Sequence, residues 1–321
     1  MLRNEMITVF GGSGFVGRYV VRALAKRGYR IRVATRRPHL AGDLKVMGVV
    51  GQVQLVQANI RVPASVERAV DGAHGVVNLI GVLSESGRQS FSRLHAMGAK
   101  TVAEASKAAG VARMIQVSAI GADPDSASRY AASKGTGEAY VKAAFKGATI
   151  IRPSIIFGAE DEFFNRFAAM ARFVPALPLI GGGHAKFQPV FVGDVADAIA
   201  HAVETPETAN QVYELGGPSV YSFKALMEFI LKTIDRPRFL VPVPFPIANM
   251  MGLAGEMSGA LPFVEPFLTR DQVTQLRVDN VVHARSRGIE DLGVTPETIE
   301  AIVPAYLGRY RRNGQFHERS A

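Results

Sequence analysis

The sequence predicts a doubly wound α/β fold, a parallel sheet with helices on both faces. Three observations carry that expectation. Short apolar runs alternate with helix-period segments through the first half of the chain. A strand-like run near the N terminus opens into glycines at three-residue spacing. Near residue 153 the texture changes, and proline and glycine become frequent.

Taken in order, Ile7–Phe10 is apolar and ends at Gly11, which makes it the first strand. Phe15–Arg27 follows as a helix, because Val16, Val20, Ala23 and Leu24 keep the 3.6-residue period. The further strands are Ile31–Thr35, Val53–Gln57, Val76–Ile80, Met114–Ser118 and Thr149–Arg152, with helices at Ala64–Val70, Ser90–Ala109 and Arg129–Phe145. Helical crossovers between strands lay those strands parallel. We therefore expect a nucleotide-binding domain over residues 1–153 and a smaller C-terminal α/β lobe over 154–321, some later segments returning to the first domain. Helices are expected in the second half at Phe163–Phe173, Val192–Glu204, Phe223–Ile234 and Pro296–Arg311. The lobe is expected over the carboxyl ends of the strands, where open α/β sheets bind ligands.

The most informative segment is Thr8-Val9-Phe10-Gly11-Gly12-Ser13-Gly14-Phe15-Val16-Gly17. Gly11 permits a tight turn, Gly14 lets a pyrophosphate approach the backbone, and Gly17 lets the helix lie close to the strand. With Ser13, Phe15 and Val16 they form a loop whose free N–H groups face negative charge. This predicts dinucleotide binding in a Rossmann fold. After the second strand, where an acidic residue would bind the ribose hydroxyls of NAD, the chain carries Arg36 and Arg37. Guanidinium groups pair with a 2′-phosphate, so NADPH is expected over NADH. Asn59 and Ile60 follow the third strand, where they bracket an adenine. Ile80 and Gly81 close the fourth beside the cofactor path.

Tyr130 and Lys134 stand four apart and share a helix face, so an ammonium near the phenol favours proton transfer to a carbonyl. Ser118, twelve residues before Tyr130, ends a strand and can bond the same oxygen. Asp194 and Asp197 share a helix, but no metal-ligand set accompanies them.

Composition narrows the alternatives. The chain has 321 residues, 48% hydrophobic, and no cysteine, so disulfides, thiolate metal sites and cysteine nucleophiles are excluded. The first strand starts close to Met1, leaving no room for a targeting segment, and no transmembrane helix is expected. Residues 1–40 hold nine Lys or Arg and one acid, most of the formal net charge of +9. Arg18, Arg22 and Lys26 share a helix face that is either solvated or docks on an acidic protein or an anionic lipid surface. Nucleic acid is not expected, because no basic run is interleaved with aromatics. The apolar residues between Pro244 and Phe267 remain open to three readings: core, subunit interface or membrane-facing surface.

Ser118, Tyr130, Lys134 and Arg152-Pro153-Ser154, together with the glycine turn, resemble the extended and atypical short-chain dehydrogenases/reductases. More specific segments are Val117–Asp123, Phe163–Phe167, Leu179–Gly183, Phe187–Val190, Val192–Val195, Tyr213–Pro218 and Leu268–Val273. With these the chain resembles, over nearly its whole length, the nucleotide-binding accessory subunits of respiratory complex I, NADH:quinone oxidoreductase. The resemblance implies tightly held NADPH, contacted also by Pro153, and other complex I subunits as partners. It implies a peripheral place at the cytoplasmic face of a bacterial inner membrane, or the matrix side in a mitochondrion. One departure stands out. Where extended members carry Asn three residues before a Gly, this chain has His95 before Gly98, which argues against a conventional proton relay and leaves Ser118, Tyr130 and Lys134 as a possible vestige. The alternative is a free-standing NADPH-dependent reductase, dehydrogenase or epimerase using those three residues.

Overall fold

The computed structural model describes residues 2–87, 89–258 and 266–314. The chain forms two compact units. The first comprises Met1–Pro153, Gly193–Leu215 and His283–Thr295; the second comprises Ser154–Val192, Gly216–Val282 and Pro296–Ala321.

In the first unit, strands β1 (Met6–Phe10), β2 (Arg30–Thr35), β3 (Val53–Gln57), β4 (Gly75–Asn78), β5 (Arg113–Val117) and β6 (Thr149–Pro153) join Val212–Leu215 in a seven-stranded sheet. Its order is β3-β2-β1-β4-β5-β6 and then Val212–Leu215, parallel throughout. The chain starts mid-sheet, winds outward to β3 and returns to β4, so the winding direction reverses between β1 and β4. A crevice opens at the carboxyl ends at such a reversal. Helices α1 (Phe15–Lys26), α2 (Pro63–Val70), α3 (Gly98–Ala108) and α4 (Arg129–Ala144) connect the strands. Val66, Val102 and Val141 from the last three helices share a core with Phe10, Met114 and Ile150. Helix starts follow local chemistry. Pro63 occupies the first turn of α2, and Ser128 Oγ accepts the Ala131 N–H at 3.2 Å to cap α4.

Three features differ from the sequence expectations. The fourth strand stops at Asn78 rather than Ile80, because Asn78 Oδ1 accepts the Ile80 N–H at 3.2 Å in place of a ladder bond. The helix expected over Ser90–Ala109 is divided into a π-helical turn, Ser92–Met97, and α3. Leu94, His95 and Ala96 are all buried there, a run too broad for one α-helical face. Val212–Leu215 is a strand that its pattern conceals, because buried Glu214 sits in its middle. Arg152 from β6 pairs with Glu214 at 3.4 Å and with Glu138 at 2.7 Å, so the carboxylates enter the interior partnered.

Much of the N-terminal basic surplus is used inside this unit. Arg3 and Arg27 pair with Glu204 at 2.8 and 3.2 Å, and Arg18 pairs with Asp43 at 3.2 Å. Arg22, Lys26, Arg30, Arg36 and Arg37 are exposed.

The second unit is built on aromatics, with Phe157, Phe164, Phe187 and Phe223 packed against Leu226, Ile230, Val303 and Leu307. Its strands occur in pairs: Ala176–Ile180 with Phe239–Val243, Ile156–Phe157 with Val190–Phe191, and Lys186–Phe187 with Tyr221–Ser222. The expected helices are Phe164–Met170, Phe223–Thr233 and Ile299–Leu307. The proline-broken stretch divides into the strand Phe239–Val243 and the helix Phe245–Ser258, with Pro246 in the first turn. Of Pro244–Phe267, residues 259–265 lie outside the described residues. No helix among the described residues is long and apolar enough to cross a membrane.

Candidate functional site

All the singled-out site residues lie in the first unit, most at or just beyond the carboxyl ends of its parallel strands. β1 ends at Phe10 and Gly11 turns with φ +79°, a conformation that favours glycine. Gly14 N–H donates to the Gly11 carbonyl at 3.0 Å and closes the turn. A methyl group on Gly17 would overlap the Gly11 oxygen and lie 2.6 Å from Gly12 Cα, so this glycine is demanded by the fold itself. Gly14 differs. It is exposed, and a methyl there would meet only the Gly11 oxygen, at an ordinary 3.4 Å. The chain's own packing does not need that vacancy, whereas a phosphate lying on the backbone does. Gly14 also supplies no capping side chain to α1, and the first turn, with Phe15 and Val16, holds no acid. The N–H groups there suit an anion.

Ser13 Oγ lies 3.2 Å from Thr35 Oγ1, which joins the glycine turn to the end of β2. Beyond β2, Arg36 and Arg37 are exposed, and Arg36 donates to Gln89 Oε1 at 3.0 Å. Asn59 Oδ1 accepts the Arg61 N–H at 3.1 Å in a local turn. The Ile60 side chain, 3% exposed, packs in the core. Ile80 lies against Gly11, and Gly81 is exposed with Lys134 Nζ beside it. Pro153 is buried and its carbonyl accepts the Ile120 N–H at 3.1 Å.

At the β5–α4 end, side chains dominate. Ser118 is 4% exposed, and its Oγ is buried with no hydrogen-bond partner among the described residues. Lys134 is 6% exposed; its Nζ reaches the Val117 carbonyl at 3.5 Å and lies 5.9 Å from the centre of the Tyr130 ring. Burial pulls the Lys134 ammonium down to about 8, against an opposing pull from Glu138. An unsatisfied hydroxyl and a poorly solvated ammonium, both at one strand end, form a polar site that ribose and carbonyl oxygens would complete. The residues present therefore fit a dinucleotide along this edge.

His95 is the residue whose role the sequence left open, and it lies beside this pair. It is 2% exposed and stacks on Phe91 at 5.3 Å. Both ring nitrogens have partners inside the protein: Val82 N–H at 3.0 Å and Ser133 Oγ at 2.9 Å. Burial, and then Lys134, lower its pKa to about 2, so the ring is neutral. The π-helical turn and the bonds of Ser133 had no signal in the residue pattern.

Comparison with known proteins agrees with this geometry. A family model described as the NAD dependent epimerase/dehydratase family matches residues 7–216. The chain belongs to that family. It is 36% identical over 306 residues to "NADH dehydrogenase [ubiquinone] 1 alpha subcomplex subunit 9, mitochondrial" of Mus musculus, covering 95% of this chain and 80% of the mouse protein. A second relative, "Ceramide reductase" of Caulobacter vibrioides, is 35% identical over 202 residues, 63% of this chain and 62% of that protein. Among solved structures, an NADPH-dependent quinone oxidoreductase from Escherichia coli, complexed with NADPH, superposes with a TM-score of 0.74 at 20% identity, covering 94% of this chain and 99% of that one. That likeness shows the shared fold.

Proposed function

We propose that this chain holds NADPH and acts as an accessory subunit of respiratory complex I, supporting assembly and stability of the peripheral arm without turning the cofactor over. The observation that carries the cofactor reading is the pair of underbonded polar groups, Ser118 Oγ and Lys134 Nζ, on the same sheet edge as the vacancy at Gly14. In this reading Gly11, Ser13, Gly14, Phe15 and Val16 hold the pyrophosphate, and Arg36 with Arg37 pairs with the 2′-phosphate. Asn59 and the backbone of Ile60, whose side chain packs in the core, lie at the adenine. Ile80, Gly81 and Pro153 flank the nicotinamide half. Lys134 bonds the ribose hydroxyls, while Ser118 and Tyr130 face the reactive end. NADPH, when bound, supplies a hydride donor.

The match to a subunit of mitochondrial NADH dehydrogenase supports partnership with other complex I subunits. The corresponding place is peripheral, on the cytoplasmic face of a bacterial inner membrane or the matrix side of a mitochondrial one. Support for the lack of turnover comes from His95, whose nitrogens are both committed inside the protein where a relay would need an acceptor open to water. A ligand bound only by the folded state stabilises it by about 2.7 kcal/mol at 100 times its dissociation constant. The test is detergent extraction followed by purification through this chain, with acid release of bound nucleotide. NADPH and the other complex I subunits should copurify, and Tyr130→Phe should keep both along with NADH:quinone activity.

A free-standing NADPH-dependent reductase, dehydrogenase or epimerase is the second reading. It is favoured by the orphaned Ser118 hydroxyl and by the similarity to a ceramide reductase. Here Ser118 orients a carbonyl and Tyr130 gives it a proton, with the Lys134 ammonium 5.9 Å from the centre of the phenol ring. A Tyr130→Phe protein that keeps its NADPH but loses a measurable reductase activity would decide for this reading.

A further inference from the structure

β4 ends at Asn78, and the segment that follows has no ladder to hold it. Its anchors include Leu79 N–H on the Phe10 carbonyl at 3.0 Å, Ile80 N–H on Asn78, Val82 N–H on His95, and the Glu85 carboxylate, which accepts the Phe91 N–H at 2.8 Å and pairs with Arg129 of α4 at 2.6 Å. Gly81 lies between the second and third of these. A methyl group there would stand 3.1 Å from Lys134 Nζ and 3.7 Å from His95 Nε2. The ring and the ammonium therefore border the same small patch of the sheet edge.

The hydrogen bonds of His95 determine its tautomer. A backbone N–H can only donate, so Nε2, which Val82 approaches at 3.0 Å, carries no proton. The proton is on Nδ1 and is donated to Ser133 Oγ at 2.9 Å. The Ser133 hydroxyl in turn donates to the Tyr130 carbonyl at 2.7 Å. One tautomer satisfies every group in the chain of bonds. The ring is also edge-on to Tyr130, with centroids 5.4 Å apart and planes at 86°. From α4, the titratable groups Tyr130 and Lys134 face it.

We propose that His95, as the neutral Nδ1–H tautomer, is a positioning residue that bolts the Gly81–Val82 segment to Ser133 of α4, so that the nicotinamide half of the cofactor site is formed before the cofactor arrives. The proposal rests on the dinucleotide reading given above. Preformation matters because a site misplaced by about 1 Å loses much of its binding and orienting power. It also assigns His95 a use in geometry instead of proton transfer.

Two substitutions separate bonding from packing. His95→Phe keeps the flat ring on Phe91 but loses both hydrogen bonds. His95→Gln can accept from Val82 through its carbonyl and donate to Ser133 through its amide. Calorimetric titration of the full chain with NADPH should show the His95→Phe variant weakened about tenfold or more, and the His95→Gln variant within about threefold of wild type. Wild-type affinity in His95→Phe, or equal losses in both, overturns the proposal. Nitrogen NMR of the wild-type chain supplies a readout independent of folding of the variants. It should show an unprotonated Nε2 and a protonated Nδ1 that do not titrate between pH 5 and 8, and an Nε2–H tautomer or a titration in that range refutes the assignment. A wild-type chain that binds neither NADPH nor NADH removes the cofactor reading and this proposal together. A His95→Phe chain that binds NADPH as well as wild type removes this proposal alone.

Discussion

At the β1–β2 end of the sheet's carboxyl edge the chain presents backbone: a left-handed turn at Gly11, an uncapped helix start at Gly14, and arginines reaching into solvent. At the β5–α4 end it presents side chains taken out of water, with Ser118, Lys134 and His95 each no more than 6% exposed. The first arrangement depends on which positions lack a Cβ and tolerates most neighbours. The second depends on desolvation and on a closed chain of hydrogen bonds, so it fails when one partner is removed. A phosphate needs only N–H groups and a positive field, whereas a ribose and a reacting carbonyl need atoms at fixed points.

The largest expected effect tests whether the glycines of the turn serve different masters. Gly17→Ala forces a methyl into the Gly11 carbonyl and should cost about 3 kcal/mol of unfolding free energy, read from denaturant titration. Gly14→Ala should change stability by less than about 1 kcal/mol while weakening nucleotide binding. Equal stability losses in the two would erase the distinction between a glycine the fold needs and one the ligand needs.

Next in size is the solvent-facing charge. Arg36→Asp should weaken NADPH binding about tenfold to a hundredfold and leave NADH nearly unchanged, since only the former offers a 2′-phosphate. Parallel losses for both cofactors would show that the backbone end does not discriminate between them.

The smallest effect belongs to the buried end and appears as a slope. Unfolded His95 takes up a proton near its ordinary 6.5, whereas folded His95 stays neutral down to about 2. Below pH 6.5 the unfolded chain therefore binds more protons, and stability falls as pH is lowered, by up to about 1.4 kcal/mol per pH unit. Above that pH this contribution is fully present and flat. Denaturant midpoints of wild type and His95→Gln, compared from pH 7.5 to 5, should converge toward acid. Parallel curves would mean that the imidazole titrates freely.

The backbone end was the more legible of the two. Glycine spacing after an apolar run specifies a turn, and Gly11, Gly14 and Gly17 occupy the places that spacing implies. The central strands β1, β4 and β5 could be read within one or two residues because their apolar runs are buried on both faces. Val212–Leu215 escaped notice because Glu214 enters the core with partners that are distant in sequence, Arg152 62 residues away and the His283 N–H 69 residues away. The π-helical turn escaped because periodicity cannot reveal an inserted residue that a tertiary bond stabilises. Ile60 illustrates the limit of motif position: the strand end it follows is the right one, yet its side chain packs inward beneath α3. The basic surplus of residues 1–40 was likewise a sum without addresses, since Arg3, Arg18 and Arg27 turn to acids of their own unit.

The late strand has a consequence for synthesis. β6 leaves the ribosome with one ladder edge open, and its partner Val212–Leu215 follows only after residues 154–211 have emerged. During that interval Arg152 has Glu138 but not Glu214, and an open parallel edge is a template for wrong pairing. The N-terminal unit, first to begin translation, is therefore not finished when residue 153 emerges and waits for the segments Gly193–Leu215 and His283–Thr295. Protease sensitivity of stalled nascent chains should persist in the β6 region until residue 215 has cleared the exit tunnel.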